Sequence, residues 1–216
     1  MDERAERIID AAAGLLLRYG YAKTTIEDVA RAAGVAKGTV YLRWRTREQL
    51  FLALLRRERA ALLDDVREAV AAARGPADTR LLMAEIVRAY QRRPLLTAVL
   101  MRDTAVLGAL ADASEGAPTR GIVAHLAELR RRRLIDTSRS HAEQVTMLSS
   151  VFLGYFMTRP LMPAEFRVPD DAVPGLLADT IHRALERAEP LTDVEAAALD
   201  ETTRAFVEAA AKEAHA

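Results

Sequence analysis

Apolar residues recur along most of the chain at spacings of three and four, and the strict alternation of a half-buried strand is nearly absent. The first stripe is Ile8, Ala12, Leu15, Leu16 and Tyr19, which predicts a helix ending at Gly20. The stretch Thr25-Ile-Glu-Asp28 has the form of a capping box, with the Thr25 hydroxyl accepting from an otherwise orphaned N–H while Asp28 reaches back. A short helix follows with Ile26, Val29, Ala30 and Ala33 inward, running to Gly34, which suits the left-handed residue past a helix end. A third helix is predicted over 36–44, with Ala36, Val40 and Trp44 on its core side. Gly38, Leu42 and Arg45 point the opposite way, and Thr39 and Tyr41 lie on the flanks. Thr46-Arg-Glu-Gln49 is a second capping box. It opens a long helix over 46–73 carrying Phe51, Leu54, Leu55, Leu62, Val66 and Val70.

After Pro76 the pattern predicts helices at 78–92, 94–111, 118–134, 141–158, 171–188 and 193–213. Pro94 and Pro118 fit first-turn positions, and Ser140 with Glu143 and Thr192 with Glu195 form further capping boxes. Residues 159–174 hold four prolines and form the longest irregular connection. The tail 189–216 carries 7 acids against Arg204 and Lys212, so it reads as a solvated helix docked on Leu191, Leu199, Phe206 and Val207. The fold class is all-α.

Charge sharpens this picture only locally. Lys+Arg and Asp+Glu are both 31, so the chain as a whole announces no polyanionic partner. Yet Lys37, Arg43, Arg45 and Arg47 stand close together, and no acid interrupts 37–47. The absence of cysteine excludes a disulfide scaffold, zinc–thiolate sites and thiol chemistry. The four histidines, at 125, 141, 182 and 215, lack metal-ligand spacing, so neither a metal nor a cofactor is expected. The first residues show no export signal. The longest strongly apolar stretch, 145–157, is too short for a bilayer of roughly 30 Å, and the chain reads as cytoplasmic with no membrane partner.

Ala30, Gly34 and Val40 have the spacing that two short helices meeting at a steep angle require. The outward face of the second helix carries small, hydroxyl and cationic groups, and an outward glycine there costs about 1 kcal/mol relative to alanine. Close approach to another surface explains Gly38, and so does simple tolerance. The run from Thr24 to Phe51 resembles the helix-turn-helix of the tetracycline-repressor (TetR) family. The likeness rests on a T-hydrophobic-x-x-hydrophobic-A segment, A-G-V, G-T-hydrophobic-Y, an aromatic, and a basic residue ahead of E-x-L-F. It is close over residues 5–52 and limited to helical organisation and length beyond. One departure is Ala36, where the family often has a capping serine.

The resemblance implies a helix-turn-helix DNA-binding domain over 1–50 and a helical ligand-binding and dimerisation domain over 51–216. It places the helix at 36–44 in the major groove of double-stranded DNA. Lys37, Thr39, Leu42 and Arg43 are then candidates for base readout, Gly38 for close approach, and Tyr41, Arg45, Arg47 and Thr25 for phosphates. It further implies a homodimer, with apolar stripes at 145, 148, 152 and 155 and at 173, 176, 177, 181 and 185 paired across a two-fold. A small apolar or amphipathic effector would lie among Tyr90, His125 and Phe152. On residue pattern alone His125 is either a core histidine or a polar hook, and the arginines at 130–133 are either an anion site or a basic last turn. A small helical enzyme or a helical scaffold is the alternative function. No G-x-S-x-G elbow, H-E-x-x-H or dinucleotide fingerprint supports the enzyme.

Overall fold

The structure, a computed structural model, describes residues 2–110 and 117–215. All regular structure among the described residues is helical. The helices are α1 (Glu3–Tyr19), α2 (Ile26–Ala32), α3 (Lys37–Arg43), α4 (Arg47–Ala72), α5 (Thr79–Gln91), α6 (Pro94–Leu100), α7 (Thr104–Leu107), α8 (Ala117–Arg131), α9 (His141–Thr158), α10 (Val173–Leu185) and α11 (Asp193–Ala214). The chain divides into two compact units, 1–59 with 93–115, and 60–92 with 116–216. Helix α4 contributes its first half to one and its second half to the other. The first unit therefore extends past the fifty residues of the sequence motif and takes in α6 and α7.

In the first unit, Asp2 caps α1 by accepting from the Ala5 N–H, and the Thr25–Asp28 capping box is complete. Ile8, Ala12 and Leu16 are buried as their spacing predicts, joined by Ala5 and Ile9. Tyr19, expected inward, is exposed. It lies in the last turn, where Arg18 stacks over its ring at 5.1 Å. Ile26, Val29, Val40, Trp44, Phe51 and Leu54 complete the core, closed by Leu95, Ala98, Leu107 and Leu110. Arg57 ties α4 to α1 through Glu6 at 2.9 Å and Asp10 at 2.7 Å.

The sequence predicts one helix over 94–111, and the structure breaks it. Arg102 takes a φ of 50°, and Asp103 restarts the backbone by accepting from the Ala105 and Val106 N–H groups. The break lets the 104–108 turn approach the 20–24 turn. A Cβ built on Gly20 would lie 2.4 Å from the Ala105 carbonyl oxygen, and one on Gly108 would lie 3.2 Å from the Tyr21 ring. Two left-handed glycines thus interlock segments far apart in sequence.

In the second unit, α5 and α10 pack extensively against each other, and α9 and α11 pack on neighbouring helices. The capping boxes at Ser140 and Thr192 are both present. Three of the four arginines at 130–133 are engaged locally: Arg131 and Arg132 pair with Glu128, and Arg130 holds the Thr137 and Arg139 carbonyls and Gln144. These three hold Glu128 and the 137–139 turn rather than forming a free anion site.

Helix α11 is more firmly docked than a solvated tail. Leu199 and Val207 are buried, and Arg204 donates to the Val70 carbonyl at 2.7 Å and the Gly75 carbonyl at 3.3 Å. Asp200 holds Arg204 at 2.9 Å and accepts from the Ala77 N–H at 2.6 Å. The last carbonyls of α4, which no intrahelical N–H can satisfy, therefore find a cation. Arg204→Ala is expected to cost about 1.5–3 kcal/mol, the range for charge-assisted hydrogen bonds. Thermal unfolding measures this, and an unchanged melting temperature would contradict the capping role.

Candidate nucleic-acid interface

Helix α3 is held from beneath and bare above. Val40 is fully buried and Trp44 nearly so, while Gly34, with φ 65°, turns the chain out of α2. The Val35 N–H donates to the Ala30 carbonyl at 3.0 Å, which closes the turn. Ala36 does not join the core side. It is the extended N-cap residue, exposed and outside the helical phase, and it supplies no side-chain cap. Of the first N–H groups of α3, that of Thr39 donates to the Ala36 carbonyl at 2.9 Å, and the N-cap side chain satisfies none of them.

The upper face presents Lys37, Gly38, Tyr41, Leu42, Arg43 and Arg45, all exposed, with Thr39 half-buried. Leu42 keeps 90 % of its surface. A leucine so placed contributes nothing to this fold's core. A Cβ built on Gly38 meets nothing within 4 Å, so no contact inside the protein requires glycine there. Among the described residues the Arg45 side chain makes no hydrogen bond or ion pair. Its backbone N–H donates instead to Gln49, at 2.9 Å, while the Gln49 N–H donates to Thr46 at 3.1 Å. The second capping box therefore reaches back one residue further than its sequence form implies.

Three site residues are held by acids inside the protein. Lys37 pairs with Glu27 of α2, and Arg43 pairs with Asp2 at the start of α1. The Thr25 hydroxyl donates to Asp28 at 2.6 Å. Hydrogen bonds from the Ala5 N–H and from Arg43 hold the Asp2 carboxyl below its ordinary range, and Glu27 holds the Lys37 ammonium above its own. Neither acid was singled out from the sequence, because Asp2 lies 41 residues from Arg43 and only the folded turn brings Glu27 to Lys37.

Arg47 stands apart from the others. Its guanidinium lies over the Tyr21 ring at 4.0 Å and donates to the Tyr21 and Thr24 carbonyls, each at 3.1 Å. It fastens the 20–24 turn to the first turn of α4, and that turn leads directly into the N-cap of α2.

Of the three candidate effector residues, two come together. Tyr90 and Phe152 are buried and meet edge-on, with centroids 5.5 Å apart. His125 belongs to another cluster, stacked on Phe206 at 4.4 Å and 15°. It is 5 % exposed, its Nε2 has no partner, and burial pushes its pKa down to about 4. It is therefore neutral at physiological pH. No group of His, Asp and Glu among the described residues is arranged to hold a metal.

Residues 8–54 match the family described as bacterial regulatory proteins, tetR family. Over these residues the chain is a member of the TetR family. Among curated relatives, this chain is 33 % identical over 136 residues to the transcriptional repressor KstR of Rhodococcus jostii, covering 62 % of this chain and 61 % of that protein. It is 31 % identical over 62 residues to the fatty acid metabolism regulator protein of Bacillus subtilis, covering 29 % of this chain and 32 % of the relative. The chain spans less than two thirds of the length of these relatives. Among solved structures, SmeT in its triclosan complex superposes with a TM-score of 0.66 at 18 % identity, covering 89 % of this chain and all of that one. FadR of Bacillus subtilis with stearoyl-CoA gives 0.62 at 17 % identity, covering 82 % and 96 %. At these identities the structures establish the TetR fold.

Proposed function

We propose that the protein is a ligand-responsive transcriptional repressor that binds a palindromic operator as a homodimer. The bare upper face of α3 carries the reading: an exposed leucine, an outward glycine and two exposed cations, with exposed Arg45 just past the helix end, on a helix whose core contacts are Val40 and Trp44. In the major groove, Arg43 can fork to a guanine edge and Leu42 can meet a thymine methyl, with Lys37 and Thr39 beside them. Arg45, Tyr41 and Thr25 approach phosphates, while Arg47 acts through the turn it holds. Action on chromosomal DNA is cytoplasmic, and no described helix is long and apolar enough to cross a membrane.

The effector is small and apolar or amphipathic. FadR with stearoyl-CoA and SmeT with triclosan share this fold and carry lipophilic ligands. In this chain the Tyr90–Phe152 pair offers an aromatic wall. The unpartnered Nε2 of His125 is a polar anchor for a separate part of a ligand. Differential binding worth about 1–3 kcal/mol would change operator affinity roughly 5- to 150-fold. Such coupling is reciprocal, so operator must weaken effector binding by the same factor.

Selecting genomic fragments that bind the protein supplies the operator, and Gly38→Ala tests the docking. Alanine meets open space at this helical position and is expected to raise folding stability by about 0.5–1 kcal/mol. If α3 lies against bases, the same methyl is expected to cost about 1–3 kcal/mol of operator affinity, as overpacking does in a close-fitted surface. A variant that melts higher and binds worse separates binding from folding. Undiminished operator affinity would remove α3 from the groove.

A further inference from the structure

Two acids that the DNA-binding role does not need are placed on two cations that it does. Glu27 of α2 holds the Lys37 ammonium, and Asp2 holds the Arg43 guanidinium. The cations lie at opposite ends of α3, and the acids come from different helices. The side chains of both pairs remain 44 % to 63 % exposed, so nothing buried fixes them. Neither pair is needed for the core that anchors α3, which rests on Val40 and Trp44.

We propose that Asp2 and Glu27 are built-in competitors for the cations of the reading helix, so that DNA must displace a carboxylate at each end of α3 before it can engage Lys37 and Arg43. The inference rests on the DNA-binding reading above. A carboxylate offers a guanidinium or ammonium the same charged oxygens as a phosphate, and for Arg43 the same acceptor pattern as a guanine edge. Exposed pairs of this kind are weak. They are strong enough to lower affinity for every DNA and weak enough to yield at a site that adds base contacts. Arg45, unpaired among the described residues, is left as the first cation to meet a phosphate.

The opposite role is also physically possible: the acids could pre-set the two long side chains in their bound rotamers. The two roles differ in sign, and Asp2→Asn and Glu27→Gln tell them apart. Asparagine keeps the oxygen that caps α1, so the fold is preserved. Glu3→Gln is the control, since it removes the same charge from an acid paired with Arg7, outside α3. Binding of full-length protein to the selected operator and to unrelated duplex is measured at several salt concentrations. Each test variant is expected to bind both DNAs about 2- to 5-fold more tightly than the Glu3→Gln control, the worth of an exposed ion pair, and the double variant roughly multiplicatively. Affinities equal to the control, or weaker than wild type, would overturn the competition. A wild-type protein that binds no duplex at any salt would remove the DNA-binding reading, and this inference with it.

Discussion

Gly20→Ala is expected to lower the melting temperature of the N-terminal unit by about 10 °C or more, and to abolish DNA binding with it. Gly20 has φ 74° and ψ 165°, a backbone region essentially reserved for glycine, where another residue costs about 1–3 kcal/mol. The added methyl carbon would also stand 2.4 Å from the carbonyl oxygen of Ala105. That atom belongs to backbone pinned by Asp103 and cannot swing aside as a side chain would. Forcing the two segments apart adds about 1–3 kcal/mol, as overpacking does elsewhere. The sum is a large share of the 5–15 kcal/mol that typically stabilises a domain. Gly34→Ala is the matched comparison: φ is 65°, but a Cβ there meets nothing within 4 Å. It is expected to cost only about 1–2 kcal/mol. Were both variants to melt alike, the interlock between the 20–24 and 104–108 turns would not exist in solution.

That interlock also shows what the sequence could and could not disclose. The first three helices, the Thr25 capping box and the Gly34 turn were legible because each is written within a few residues: a stripe, a capping box, a glycine. So was the outward face of α3, since helical phase alone separates Val40 from Leu42. The same local logic missed Asp103, which has the residue type of an N-cap but sits inside an apolar run that periodicity reads as continuous. It misplaced Ala36 by treating the N-cap as though it had helical phase. It read Arg47 from its charge, whereas Tyr21 and Thr24, 26 and 23 residues away, decide where the guanidinium lies. The pairing of Asp2 with Arg43 had no local signal at all. Contacts across tens of residues are settled by packing, and they bear on which cations are available to a ligand.

The apolar stripes of α9 and α10 were legible too, but most of the named residues serve their own unit. Phe152, Val173, Leu177, Ile181 and Leu185 are buried, and Val145, Leu148 and Tyr155 are half-buried. Two large apolar residues stay exposed, Met157 on α9 and Leu176 on α10, the latter a member of the named stripe, and Met147 and Leu153 are half-buried. Leu176 is 53 % exposed. Helix α9 is apolar nearly all round, yet only Gln144 and Phe152 are buried on it. A helix with that composition ordinarily lies inside a structure. Between α9 and α10 a shallow apolar crevice is lined by Met147, Leu148, Val151, Ile181, Ala184 and Leu185. Exposed apolar side chains on two adjacent helices would be covered if a second copy packed on them about an isologous two-fold.

Replacing Met147 and Leu176 together by glutamate is therefore expected to give a folded monomer. Glutamate at a half-exposed position costs a monomer little, whereas two copies of each charge at a two-fold interface would be desolvated without partners. Sedimentation should show a dimer for wild type at micromolar concentration and a monomer for the variant, with helical circular dichroism unchanged. The effect on DNA should be the largest of any substitution outside α3 that leaves the protein folded. A dimer places two reading helices on half-sites about 34–36 Å apart, so the second binds at high effective concentration. Losing that link is expected to lower operator affinity about 10²- to 10⁴-fold, while a single half-site is bound as before. Gly38→Ala should instead weaken half-site and full operator alike and leave the dimer intact. A wild-type monomer, or a double variant that remains dimeric, would show that the open face of α9 and α10 is not where two copies meet.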